Sequence, residues 1–202
     1  MTVTVDFIFD FASPNAYLVH RTLGPIAERT GATFNYIPCL LGGIFKSTGN
    51  KAPMVAYAPI PNKLAYEQLE FRRFVEKHQL TDFQFNPHFP VNTVQLQRGA
   101  LVAERDGRLM EYVEAGLHHM WEAPKKMDDP EAYAAAMTES GFDGGALIEG
   151  MQDPEIKQKL MDNTAAAVER GAFGIPTFYV GDEMFFGKDR LDQLEEAIVA
   201  AS

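Results

Sequence analysis

The chain has 202 residues and a formal net charge of −10, with an ordinary apolar share and aromatics made slightly plentiful by phenylalanine. That length suits one full domain, or a compact core carrying a large insertion. The negative charge argues against nucleic acid or an anionic membrane as the main partner, and no apolar run approaches the roughly 20 residues needed to span a bilayer. The opening, MTVTVDFIFDFASP, has neither a basic stretch nor a small-residue cleavage site. Cys39 is the single cysteine, so an internal disulfide and a Cys-rich structural zinc site are excluded, which points to a reducing compartment, the cytoplasm. Cys39 itself reads as a small buried apolar residue.

In chain order, Val3, Val5, Phe7 and Phe9 alternate and predict a first strand ending near Asp10. Ser13-Pro14 is the pairing expected at the cap and first position of a helix. That helix runs towards Gly31, with a kink or early break predicted at Gly24-Pro25. Ala32 to Ile37 predicts a second strand and closes a β-α-β unit. From Pro38 to about Asn92 the chain is rich in loop signals, interrupted by one helix, Lys63 to His78. Residues 93 to 122 read as a helical hairpin broken at Asp106-Gly107. Asp129-Pro130 and Asp153-Pro154 each announce a further helix, ending at Gly141 and Gly171. Pro176 to Val180, the turn Gly181-Asp182 and Met184 to Phe186 form a hairpin. Asp189 then caps a last helix, Arg190 to Ala200. The order β-α-β, several helices, β-β-α is that of an α/β, thioredoxin-like fold with an all-helical insertion. Residues 1–60 and 172–202 would form the thioredoxin-like domain, and 61–171 the inserted helical domain.

Three stretches could carry chemistry. A thioredoxin fold places its reactive group at the N-terminus of the first helix, where free N–H groups and the helix dipole stabilise an anion. The four positions there are Ser13, Pro14, Asn15 and Ala16, so thiol–disulfide exchange has no thiol to run on. Ser13 either serves as a helix cap alone or donates a hydrogen bond to a sulfur brought by a cofactor, favouring its thiolate form. Gly174-Ile175-Pro176-Thr177 puts a proline at the head of a strand, where a cis bond would expose the backbone of the preceding residue to a peptide-like ligand. Phe186-Gly187-Lys188-Asp189-Arg190 opens the last helix. Its N–H donors suit a carboxylate and Asp189 an ammonium, unless Asp189 only caps and Lys188 and Arg190 are solvated.

Asp10-Phe11-Ala12-Ser13-Pro14-Asn15-Ala16-Tyr17-Leu18 resembles the opening of the 2-hydroxychromene-2-carboxylate isomerase family, kin of kappa-class glutathione transferases. Gly174 to Leu194, GIPTFYVGDEMFFGKDRLDQL, is similar to that family's C-terminal signature almost throughout. Leu41 to Lys46 with Gly49-Asn50-Lys51, and Pro90-Val91-Asn92-Thr93, resemble two of its loops. The likeness covers nearly the whole chain and is least from 125 to 165.

By position, the resemblance implies glutathione as cofactor, with Ser13 next to its sulfur and Ile175, preceding Pro176, pairing with its cysteinyl part. Phe186, Gly187, Lys188 and Asp189 would line the γ-glutamyl end. Asn50, Lys63, Tyr66 and Asn92 would lie on the substrate side, with Lys46, Lys51 or Lys63 available for a substrate carboxylate. Three features depart from the family: Lys188 stands where the isomerases have Asn, Glu70 where Asp is common, and the loop from Phe83 to Phe89 is shorter. The implied activity is a cis-trans isomerisation of 2-hydroxychromene-2-carboxylate, or of a related aromatic enone acid, during breakdown of aromatic compounds. It would proceed by reversible addition of the thiolate in a cytoplasmic homodimer. A kappa-like glutathione transferase or peroxidase is the first alternative, and a non-catalytic ligand binder of the same fold the second.

Other constellations carry less. The histidines at 20, 78, 88, 118 and 119 show no metal-ligand spacing, so no metal is expected. Gly42-Gly43 and Gly144-Gly145 lack the rest of a phosphate-binding or dinucleotide pattern. Trp121 reads as core.

Overall fold

The structure, a computed structural model, describes residues 2–202. Its centre is strand β1 (Thr4–Phe9), in which Val5, Phe7 and Phe9 are buried on one face and Ile8 on the other. A strand apolar on both faces belongs in the middle of a covered sheet. β1 pairs in parallel with β2 (Thr33–Pro38) and antiparallel with β3 (Thr177–Val180), and β3 pairs antiparallel with β4 (Glu183–Phe186). The order is β2-β1-β3-β4, so the first and last parts of the chain meet along β1.

Helix α1 (Pro14–Thr30) connects β1 to β2. It runs without interruption through Gly24-Pro25, where the sequence predicts a kink or break. Both residues lie on its exposed side, where a carbonyl left unbonded by the proline is open to water. The stretch after β2 is also more regular than its loop signals suggest. It forms α2 (Leu41–Thr48) and the single turn α3 (Pro53–Ala56) before α4 (Pro61–Lys77). α4 contains no buried residue.

The helices that follow are α5 (Val94–Arg105), α6 (Leu109–Trp121), α7 (Pro130–Glu139), α8 (Gly144–Gly150) and α9 (Pro154–Glu169). Asp129, Asp143 and Asp153 cap α7, α8 and α9 by accepting first-turn amides, the role short acidic side chains fill best. The chain closes with a 3-10 turn (Lys188–Arg190) and α10 (Leu191–Ala200). Asp189 sits inside that turn and Arg190 occupies the cap position without a side-chain capping bond, so Asp189 does not cap the last helix. Among the described residues no helix is long and apolar enough to cross a membrane. The apolar core is continuous from the sheet into the helices, with Trp121, Tyr112 and Tyr133 fully buried beside Phe7, Phe9 and Phe11.

A polar seam fastens α1 to α6. The Tyr17 hydroxyl donates to Glu122 (2.9 Å), and Arg21 pairs with both Glu122 and Glu114. His20 lies between the Tyr36 hydroxyl (2.7 Å) and Glu114 (2.8 Å). The hydrogen bond from His20 and the nearby Arg21 guanidinium hold the Glu114 carboxyl down at about 2, against partial burial. A carboxyl whose folded value lies below its unfolded one stabilises the fold above the unfolded value and loses that contribution as pH falls. We therefore expect wild type to be more stable than Glu114→Gln above pH 4.5, with the margin shrinking as pH falls towards about 2. Urea midpoints of both proteins across this window measure it, and a margin independent of pH would contradict the assignment.

Candidate functional site

β1 ends at Phe9, and the next four residues turn the chain into α1 so that Ser13 caps the helix. The Ser13 amide donates to the Asp10 carbonyl (3.0 Å), while its Oγ accepts the Ala16 amide (3.2 Å) and donates to the Ile175 carbonyl (3.1 Å). The hydroxyl therefore caps the helix and also reaches the segment before β3. Ile175-Pro176 is cis. The Pro176 carbonyl accepts the Gly187 amide (3.0 Å), extending the β3–β4 ladder to the start of the 3-10 turn. Gly187 has φ 87°, a region in which a side chain would be strained. Ser13, Ile175, Pro176 and Gly187 thus form one connected group, although 162 positions separate Ser13 from Ile175. The Ile175 amide has no protein partner among the described residues.

Some of the other predicted residues stand around this group. Phe186 packs on Phe173 with ring centroids 4.4 Å apart and covers Gly174 so closely that a Cβ there would lie 2.9 Å from its ring. Asn50 joins the same rim, its Nδ2 donating to the Phe173 carbonyl (2.7 Å). Lys188 is buried, with its ammonium 2.6 Å from the largely exposed Asp189 carboxylate. These two line a cavity of ≈ 490 Å3 between α1, α4 and the 3-10 turn, together with Arg21, Glu70, Arg73 and Phe74. Ser13 does not line it.

Tyr66 is exposed on α4, and the neighbouring Glu70 carboxylate pushes its hydroxyl up. α4 faces the 3-10 turn, with the Lys188 ammonium 5.4 Å over the Phe74 ring. Lys63 lies 3.7 Å over the Tyr57 ring. Asn92 is elsewhere. Its side chain accepts the Val94 amide (3.0 Å) and it lines a separate hollow with Gln95, Arg98 and Asp128. The structure does not bring it to Ser13.

The residue that reaches the site from that stretch is Thr93, and its partner is Asp10. Asp10 is buried, and its carboxylate takes three hydrogen bonds: from the Ala12 amide (2.9 Å), the Leu41 amide (2.8 Å) and the Thr93 hydroxyl (2.6 Å). Burial pushes its carboxyl up and the three donors oppose that push. Gln97, fully buried on α5, donates to the carbonyls of Phe9 (2.8 Å) and Cys39 (2.5 Å), and the Trp121 indole donates to the Phe11 carbonyl (2.9 Å). The loop bearing Ser13 is thereby tied to α2, α5 and α6. Sequence reasoning passes over Asp10, Thr93 and Gln97. The available signal was a carboxylate closing an apolar strand and a glutamine within the apolar stripe of α5.

Cys39 is inaccessible, and burial pushes its thiol up to about 12. The chain therefore has no accessible thiol of its own. Among the described residues no cluster of histidines, cysteines and carboxylates could hold a metal ion.

An amide cannot replace Asp10 without turning an NH2 group towards one of the three donors. Asp10→Asn should cost about 1–3 kcal/mol, the penalty of a buried donor left unpaired. Urea denaturation measures it, and an unchanged midpoint would show that the carboxylate does not hold this loop.

A profile of DSBA-like thioredoxin domains matches residues 4–199. Over 199 residues the chain is 29% identical to the 2-hydroxychromene-2-carboxylate isomerase of Sphingobium xenophagum, covering 98% of this chain and all of that one. It is 28% identical to glutathione S-transferase kappa 1 of Homo sapiens over 209 residues, 95% of this chain and 88% of that one. A solved 2-hydroxychromene-2-carboxylate isomerase superposes with a TM-score of 0.79 at 28% identity, covering 96% and 94% of the two chains. A probable DsbA oxidoreductase from Streptomyces coelicolor shares the fold, with a TM-score of 0.70 at 17% identity over 98% and 89%. With a serine hydroxyl at the helix terminus, the cis proline beside it and a match over nearly its whole length, the chain belongs to the family of DSBA-like thioredoxin domains.

Proposed function

We propose that the protein is a glutathione-dependent isomerase acting on 2-hydroxychromene-2-carboxylate or a related aromatic enone acid. The observation that carries this reading is the Ser13 hydroxyl, which stands at the start of α1 and 3.1 Å from the Ile175 carbonyl, in a chain with no accessible thiol of its own. Glutathione, when bound, supplies a thiol that adds reversibly to a conjugated double bond, so that the substrate can rotate while that bond is single.

The residues present fit that group. The unpartnered Ile175 amide and its neighbouring carbonyl suit the backbone of a cysteinyl residue. Lys188 and Asp189 offer an ammonium and a carboxylate to an α-amino-acid end, beside Gly187. Ser13 would turn its proton from the Ile175 carbonyl to the sulfur. There it favours the charged thiolate, assisted by the dipole of α1. Phe173, Phe186 and Asn50 form the rim over which an aromatic substrate would lie. Tyr66 and Lys63 stand on the exposed helix α4.

Similarity to the human kappa transferase at nearly the same identity favours a second reading, in which addition is not followed by elimination. The two differ in stoichiometry: an isomerase turns over substrate at constant glutathione, whereas a transferase consumes it.

A hydrogen bond to a charged group is worth about 1.5–3 kcal/mol. Ser13→Ala is therefore expected to lower kcat/KM for the enone acid by about ten- to hundred-fold, with thermal stability falling by about 1 kcal/mol through loss of the cap. Turnover by wild type that is independent of added glutathione, or undiminished in Ser13→Ala, would overturn the proposal.

A further inference from the structure

Ser13 and Ile175 are only 4% and 6% exposed, so little of either reaches water. Beside them stand a strap of chain and an aromatic pair. Asn50 donates from Nδ2 to the carbonyl of Phe173 (2.7 Å), two residues before Ile175. The Phe186 ring, packed on Phe173, covers Gly174, the residue between them.

The strap, residues 50–60, is lightly held. None of its residues is buried, and α3 within it is a single turn. Its other hydrogen bonds stay within the stretch from Thr48 to Leu64. Among the described residues, the Asn50 side chain alone bonds it to the rest of the fold. At its start stands Gly49, with φ 71° and nothing within 4 Å of the place a Cβ would take. A glycine there turns at little steric cost. Segments with few buried contacts and exposed hydrogen bonds are the first to open. The Asn50 bond therefore decides the position of the strap, because no apolar burial stands behind it.

From this juxtaposition we propose that residues 50–60 form a gate over Ser13 and Ile175. The Asn50 amide latches it on the Phe173 carbonyl, and it must open before glutathione can enter. Only the identity of the ligand rests on the glutathione reading. Closed, the gate shields the Ile175 amide and leaves the Ser13 proton on the Ile175 carbonyl. Open, it frees the amide for a cysteinyl backbone and the Ser13 proton for the sulfur. Apparent affinity is then lowered by the fraction of molecules that are open. A latch acts opposite in sign to a ligand contact: removing the Asn50 amide admits the ligand faster.

Hydrogen exchange of the Ile175 amide, followed by NMR in the protein without added ligand, tests the gate apart from the ligand. That amide has no acceptor among the described residues, so any slowing reports cover. In wild type it should exchange at least about ten-fold more slowly than an open amide. Asn50→Ala and Asn50→Asp both lose the donor and should speed exchange about two- to ten-fold, with the amides of β1 unchanged. Stopped-flow association of glutathione should quicken by a similar factor in Asn50→Ala. Exchange at the open-amide rate in wild type, rates in both variants equal to wild type, or the same acceleration throughout β1 would each overturn the gate. So would slower association in Asn50→Ala, which would make Asn50 a ligand contact. If glutathione binds neither protein while exchange behaves as expected, the gate stands and the glutathione reading falls.

Discussion

The carboxylate of Asp10 is the constraint on which the site depends. Located just past the end of the central strand, it gathers an amide from its own turn, an amide from the start of α2 and a hydroxyl from the residue before α5. Taking a carboxylate out of water is costly unless donors replace the water it loses, and here each donor arrives from a different part of the chain. The loop from Asp10 to Ser13 is thus pinned from below, with Gln97 and Trp121 fixing the carbonyls on either side. Ser13 consequently enters α1 with its hydroxyl aimed at the Ile175 carbonyl, although nothing local to the sequence of α1 specifies that contact.

What could be read from the sequence follows the range of the interactions. Ser13-Pro14, Asp129-Pro130 and Asp153-Pro154 were legible as helix starts because a cap and its amides lie within three residues. The four strands were legible from alternation and turn residues to within a residue or so. Gly24-Pro25 misleads because the cost of a proline depends on which side of the helix meets water. Gly42-Gly43, one of the loop signals after Pro38, misleads because α2 is held by the Asp10 bond to Leu41 and by its packing on α9, not by propensity. Asp189 looks like a cap, but its carboxylate pairs with Lys188 inside a 3-10 turn.

The site divides along the same line. Ser13 with Ile175-Pro176 and Gly187 could be placed from chain order, since a thioredoxin topology brings the first helix terminus and the last hairpin together. Asp10, Thr93 and Gln97 could not, because apart from the Ala12 amide their partners lie 31 to 88 positions away. Asn92 sits one residue from the position that matters: at the entry to α5 these two successive side chains point to different sides. Thr93 therefore turns to Asp10 and Asn92 to the other hollow.

The arrangement keeps the electrostatic part of a thioredoxin site, a helix terminus beside a cis proline, and leaves out the sulfur. In our account the sulfur comes with glutathione, and the protein's contribution is a lowered thiol pKa. The most direct measurement is the ultraviolet thiolate absorbance of glutathione bound to wild-type protein, followed as a function of pH. The account predicts a bound thiol that ionises well below the ordinary thiol value of about 8.5, with the thiolate band present at neutral pH. Bound glutathione that titrates like the free thiol, or a protein that does not bind it, would contradict the account.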